Sequence, residues 1–235
     1  MSEDPPKRRM VRPPSGGGPA RVKPERLKTS KQRTASSRAW LERQLADPFV
    51  AEARAQGWRS RAAFKLIEID DRFHLIRPGA RVLDLGCAPG GWLQVVVARS
   101  ASAVAGVDLL ATDPVERATI LEGDFTDPQV QARLIEALGG PPDVILSDLA
   151  PNTTGHRQTD HLRIMALIES ATDFALATLK PGGAFLAKAF QGGETSEVTA
   201  RLKPVFAEVR HVKPKASRSE SSELYLLAKG FRRDA

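Results

Sequence analysis

The sequence holds a single cysteine, Cys87, which excludes an internal disulfide and any metal site built from several cysteines. No apolar run approaches the length that crosses a bilayer. The basic N-terminus, MSEDPPKRRMVRPP, lacks the apolar h-region of a secretory signal. A soluble, cytoplasmic protein with no membrane partner is expected. His74, His156, His161 and His211 show no ligand spacing with cysteine or acid, so no metal is expected either. No repeat with a period of about 20 to 50 residues is present, which argues against a solenoid.

Charge is unevenly spread. Residues 1–37 carry ten Lys or Arg against three acids, a net +7 that equals the formal charge of the whole chain, while the remaining basic and acidic residues balance. This segment also has nine Pro or Gly and no aromatic, the composition of a disordered basic tail. A solvated extension and an arm gripping nucleic-acid phosphates both fit that composition. Residues 38–235 have the length and apolar content of one globular α/β domain.

The organising stretch of that domain is RVLDLGCAPGGW, Arg81 to Trp92. An apolar strand pattern breaks at Gly86, and an apolar helix pattern resumes after Gly90 and Gly91. Strand, glycine turn and helix form a nucleotide-site arrangement. The spacing Gly86-x-x-x-Gly90-Gly91 is neither the dinucleotide GxGxxG nor the P-loop GxxxxGK[ST], which argues against NAD and ATP.

Upstream, Ser36 or Ser37 caps an expected helix through Leu45, Asp47-Pro48 starts a second that ends near Gln56, and Ser60 caps a third carrying Lys65. Downstream, seven strands are expected, at 81–85, 103–107, 118–121, 143–147, 184–188, 206–212 and 223–228. Helices are expected between most of them, at 91–99, 128–138, 161–179 and 194–203. Such alternation predicts a mainly parallel sheet with helices on both faces. The last two strands, joined by the short segment Lys213 to Ser222, should pair as an antiparallel hairpin.

Ligands of such sheets bind outside the carboxyl ends of the strands. Asp84, Gly86, Asp108, Asp124, Asp148 and Lys188 all fall there. Asp108, 22 residues after Gly86, is placed to accept hydrogen bonds from ribose hydroxyls. Asp124 is placed to accept from an adenine amino group, unless it serves only an Asx turn. Trp92 either packs in the core or shapes the pocket. A ribose-binding acid without a phosphate cradle suits a nucleoside lacking pyrophosphate; S-adenosylmethionine, whose sulfonium is cationic, fits the surrounding acids. Lys188 closes an apolar strand and needs a partner there, with Asp148 and Glu223 the nearest carboxylates.

Five segments in order, SRAAFKL at Ser60, DLGCAPGGW at Asp84, SDLAPN at Ser147, KAFQG at Lys188 and SSELY at Ser221, resemble the FtsJ/RrmJ family of ribosomal RNA 2′-O-ribose methyltransferases over about residues 50–230. The resemblance implies a Rossmann-like S-adenosylmethionine-dependent methyltransferase fold with a seven-stranded, mostly parallel sheet in the order 3-2-1-4-5-7-6. It also implies a catalytic tetrad of Lys65, Asp148, Lys188 and Glu223, and cofactor contacts at Gly90, Trp92, Asp108, Asp124 and Asp148. The implied substrate is the 2′-hydroxyl of a uridine in large-subunit (23S) ribosomal RNA, free or in the subunit, with no protein partner. Cys87 departs from the alanine of many relatives and reads as a small filler.

On this reading a 2′-oxygen displaces the methyl from sulfur in line, with Lys188 as general base or orienting group. Two basic segments flank the edge as candidate phosphate contacts: Arg59 with Arg61, and Lys213, Lys215 and Arg218. Methylation of tRNA or of an mRNA cap, and a non-catalytic ribosome-assembly role, stay open as alternatives, with an NAD oxidoreductase further off.

Overall fold

The computed structural model describes residues 47–151, 155–190, 195–218 and 221–232. The basic tail and the helix expected before Leu45 lie outside the described residues, as do Asn152, Gln191 and Gly192 of the motifs.

Helix α1 (Pro48–Ala55) starts where proline pre-sets the first turn and the Asp47 carboxylate accepts from the Phe49 N–H at 3.1 Å. Helix α2 (Ala62–Phe73) follows. It has no side-chain cap, contrary to the expectation for Ser60. The Ser60 hydroxyl instead sits against Gly91, where a Cβ would come within 2.5 Å of it.

Strand β1 (Arg81–Leu85) leads into α3 (Gly91–Ala98), and β2 (Ala103–Asp108) and β3 (Thr119–Glu122) come next. Helix α4 (Pro128–Leu138) spans the expected residues; an Asp127 cap starts it and a left-handed Gly139 ends it. Then come β4 (Val144–Ser147), α5 (Arg157–Thr178), β5 (Ala184–Phe190), α6 (Thr195–Leu202), β6 (Phe206–Val212) and β7 (Glu223–Phe231).

The seven strands form one sheet in the order β3-β2-β1-β4-β5-β7-β6. Strands β1 to β5 run parallel, and β7 is antiparallel to both β5 and β6. The fold is therefore the Rossmann-like α/β arrangement read from the sequence. One apolar core lies between the sheet and α1, α2 and α3, and the other between the sheet and α4, α5 and α6. Among the described residues, no helix is long and apolar enough to cross a membrane.

Three boundaries differ from the sequence reading by two residues or more. Helix α5 begins about one turn before His161, because its first turn, RQTD, has no apolar periodicity to announce it. Strand β5 runs on to Phe190 and β7 to Phe231. In β7 the polar Lys229 interrupts the apolar pattern, yet it pairs with both Ala184 and Glu208 in the ladders, and its Nζ donates to the Phe73 carbonyl at 2.6 Å.

Candidate active site

The carboxyl ends of β1, β2, β4 and β5 share one edge of the sheet, and antiparallel β7 begins there with Glu223. Asp148, the first residue past β4, continues the ladder by donating its N–H to Leu85 O at 3.0 Å. Its neighbour Leu149 passes so close to β1 that a Cβ on Gly86 would stand 2.9 Å from Leu149 N. Gly86, at φ +81°, is thus required both by its conformation and by this crossing.

Four side chains distant in sequence meet at this edge. Lys65, projecting from α2, is ion-paired with Glu223. Lys188 of β5 donates to the backbone carbonyl of Asp148 at 2.7 Å and lies 3.2 Å from its Oδ1. All four are mostly buried, so neither pair is a loose surface bridge. The Tyr225 hydroxyl joins the pairs, 3.0 Å from Asp148 Oδ1 and 3.0 Å from Glu223 Oε1. One phenolic proton serves only one of these acceptors at a time.

The charges answer one another. Burial opposes ionisation of Glu223, but the attraction and hydrogen bond of Lys65, with Lys188 and Tyr225 adding to them, hold its carboxyl below the usual range. The phenol of Tyr225 is pushed well up, by burial first and then by the charges of Asp148 and Glu223.

Beside the tetrad lies a cavity of about 710 Å³, with Gly86, Asp108, Asp124, Phe125, Asp148 and Arg163 in its wall. Asp148 therefore belongs to both cavity and tetrad. Asp108 binds the glycine loop to β2: its Oδ2 accepts from Ala88 N at 2.9 Å and its Oδ1 from Leu110 N at 3.0 Å. Each oxygen keeps a second lone pair. Asp124 forms an Asx turn through Oδ1, which accepts from the N–H and hydroxyl of Thr126. These bonds lower its carboxyl from the ordinary value. Its Oδ2 has no bonded partner among the described residues.

Beneath the loop, Asp84 is fully buried and neither carboxylate oxygen has a hydrogen-bond partner among the described residues. Burial, and then the negative charges of Asp148 and Asp108, push its carboxyl well up.

Gly90 and Trp92 stand apart from the cavity wall. A Cβ on Gly90, at φ +100°, would come within 2.7 Å of Arg59 Nη1. Trp92 is 3% exposed. Its Nε1 donates to Ala62 O at 2.8 Å, and its ring centroid lies 5.7 Å from that of Tyr225. It packs in the core and supports Tyr225 from below, as an apolar ring this deep must. Cys87 is buried as well, and burial followed by the charges of Asp84 and Asp108 pushes its thiol up to about 12, far from a nucleophile's range.

The basic segments are largely occupied. Arg59 donates to the carbonyls of Pro89, Asp113 and Pro114, strapping the loop after β2 to the glycine loop. Arg61 and Arg218 both pair with the buried Asp47, and Arg61 also reaches Ala216 O. Lys213 Nζ donates to Ser221 O at 2.8 Å, and Lys215 is exposed. The arginines named as candidate phosphate contacts hold the loops around the site. Sequence alone missed Asp47, whose role as anchor rests on partners 14 and 171 residues away. Tyr225 was carried only inside a motif, although the spacing Glu223-x-Tyr225 puts both on one strand face.

Among the described residues, no group of three or more His, Cys, Asp or Glu side chains is arranged to hold a metal ion.

The family model for FtsJ-like methyltransferases matches residues 58–231. A protein of Caulobacter sp. (strain K31) named Ribosomal RNA large subunit methyltransferase E is 61% identical, covering 95% of this chain and 99% of its own. One of the same name from Gluconobacter oxydans is 61% identical, covering 91% of this chain and 80% of its own. The solved structure of a Plasmodium falciparum protein described as a ribosomal RNA methyltransferase aligns at a TM-score of 0.66 and 32% identity, covering 74% of this chain and 98% of that one. On sequence, fold and relatives together, the chain belongs to the FtsJ-like methyltransferase family.

Proposed function

We propose that this protein methylates the ribose 2′-hydroxyl of a uridine in large-subunit (23S) ribosomal RNA, with S-adenosylmethionine as methyl donor. The observation that carries the reading is the convergence of Lys65, Asp148, Lys188 and Glu223 beside a cavity that shares Asp148. The names of the relatives support the ribosomal substrate, which would place the activity in the cytoplasm.

The cavity suits the donor. Asp108, Asp124 and Asp148 line it, so a cationic ligand is attracted there and a polyphosphate repelled. The second lone pairs of Asp108 would take the ribose hydroxyls, Asp124 Oδ2 the adenine amino group, and Asp148 the wall nearest the tetrad. Gly90 and Trp92 act at one remove, by shaping the loop and the floor. When bound, the donor supplies a methyl group on a positively charged sulfur, open to in-line attack by oxygen.

Lys188 is held by a hydrogen bond to the Asp148 carbonyl and an ion pair with the Asp148 carboxylate. A further direction at Nζ is left for the 2′-hydroxyl, which Lys188 orients or relieves of its proton. Lys65, anchored by Glu223, gives a second positive group beside the oxygen on which negative charge develops.

The whole formal charge of +7 falls within residues 1–37, which suits contact with RNA phosphates. We assign that segment to phosphate contact.

The test is transfer of labelled methyl groups from S-adenosylmethionine to large subunits from cells lacking this protein, followed by alkaline hydrolysis. Label in an alkali-resistant dinucleotide, as 2′-O-methylation produces, is the expected result. Label on a base, or none, would refute the proposal.

A further inference from the structure

Resting on that reading, we infer that Phe190 is the platform on which the target nucleobase stacks. Three aromatic side chains among the described residues are half-buried: Phe49, Trp58 and Phe190. Phe49 and Trp58 pack against the core beneath α2 and α3. Phe190 belongs to neither core and has no ring partner among the described residues. A phenyl ring left partly in water needs a reason, and its position supplies one.

Phe190 is the last residue of β5, two beyond Lys188. Side chains two apart on a strand share a face, and the core residues confirm the alternation here. Ala184 and Leu186 lie in the core under α2 and α3, whereas Ala187 and Ala189 lie in the opposite one. Phe190 thus stands on the Lys188 face, about 7 Å further along the strand. Across the ladder its Cα partner is Glu223, as Tyr225 is that of Lys188. Phe190 does not line the donor cavity, whereas Asp148 of the tetrad does.

A nucleotide whose 2′-oxygen sits at Lys188 has to leave the stack of its neighbours, and its base then loses contact on both faces. Proteins that recognise single-stranded or splayed RNA replace that contact with an aromatic face. Phe190 offers such a face at the distance that separates a ribose from its own base. It carries no hydrogen-bonding group, so it fixes the depth and tilt of the nucleotide and does not discriminate among bases.

The experiment measures methyl transfer to large subunits from cells lacking the protein, with wild type and the variants Phe190→Ala, Phe190→Leu and Phe190→Trp. Affinity for S-adenosylmethionine is measured alongside as a check on the fold and the donor cavity. The inference requires kcat/KM to fall by about 10-fold or more in Phe190→Ala and Phe190→Leu. It requires Phe190→Trp to stay within about 3-fold of wild type, and the affinity for the donor to be unchanged in all three. Leucine restores apolar bulk but not a π face, so a Leu variant as active as wild type would overturn the inference in favour of plain packing. Near-normal activity of Phe190→Ala would overturn it too. Wild-type transfer to ribose measures the underlying function: its absence would remove both readings, whereas an unchanged ratio of variant to wild type would remove only this one.

Discussion

Lys188 is gripped twice by Asp148: its Nζ donates to the backbone carbonyl at 2.7 Å and stands 3.2 Å from Oδ1 of the same residue. The backbone contact fixes the amine even if the carboxylate turns to another partner. Lys188→Ala should therefore reduce methyl transfer by about 100-fold or more while S-adenosylmethionine still binds. Single-turnover rates beside a binding isotherm check this, and a folded variant with near-normal turnover would take Lys188 out of the chemistry.

Tyr225 offers one proton to two carboxylates. In Tyr225→Phe, Asp148 and Glu223 lose their shared donor while the ring, which rests on Trp92, is kept. A stability loss of about 1 to 3 kcal/mol is expected in urea denaturation, with a fall in kcat and little change in donor affinity. An increase in stability would mean that the hydroxyl is not bonded as described.

Asp84 makes stability depend on pH in a definite direction. A carboxyl whose folded value lies above its unfolded one retains its proton on folding. Its contribution is full below the unfolded value and is lost as pH rises through the folded value. Asp84 is of this kind, through burial and then the charges of Asp148 and Asp108. The unfolding free energy of wild type minus that of Asp84→Asn should therefore decline as pH rises from about 4. A difference independent of pH would contradict the assignment.

Asp47 is buried against two arginines and caps α1. Asp47→Ala removes cap and counter-charge together and should cost about 3 kcal/mol or more. Asp47→Asn keeps a capping oxygen and should cost less. Equal midpoints for the two variants in chemical denaturation would show that the cap contributes nothing, and an Asp47→Asn midpoint equal to that of wild type would show the same of the charge.

Removal of residues 1–37 tests the phosphate contact. RNA affinity should fall, and its logarithm should depend less steeply on that of the salt concentration. An unchanged slope would show the tail to be solvated only.

Much of this was legible in the sequence, for identifiable reasons. Strand β1 and the glycine turn are announced by local chemistry, since Val82, Leu83 and Leu85 are buried and Gly86 needs positive φ. Lys188 declared itself because a lysine closing an apolar strand must find a partner, and it did so in Asp148. What stayed hidden depends on long-range placement. No local pattern says that Arg59 straps carbonyls 30 to 55 residues away. Trp92 read equally as core or pocket until its indole was seen bonded to Ala62. The start of α5 carries no apolar residue in its first turn, so periodicity could not find it.

The central claim is that a ribose in large-subunit RNA receives the methyl group. Mass-spectrometric mapping of 23S ribosomal RNA from cells with and without this protein tests it most directly. The account predicts one uridine whose ribose gains 14 Da, about the mass of one methylene, only when the protein is present and only with Lys188 intact. An identical ribose methylation map in both strains would contradict it.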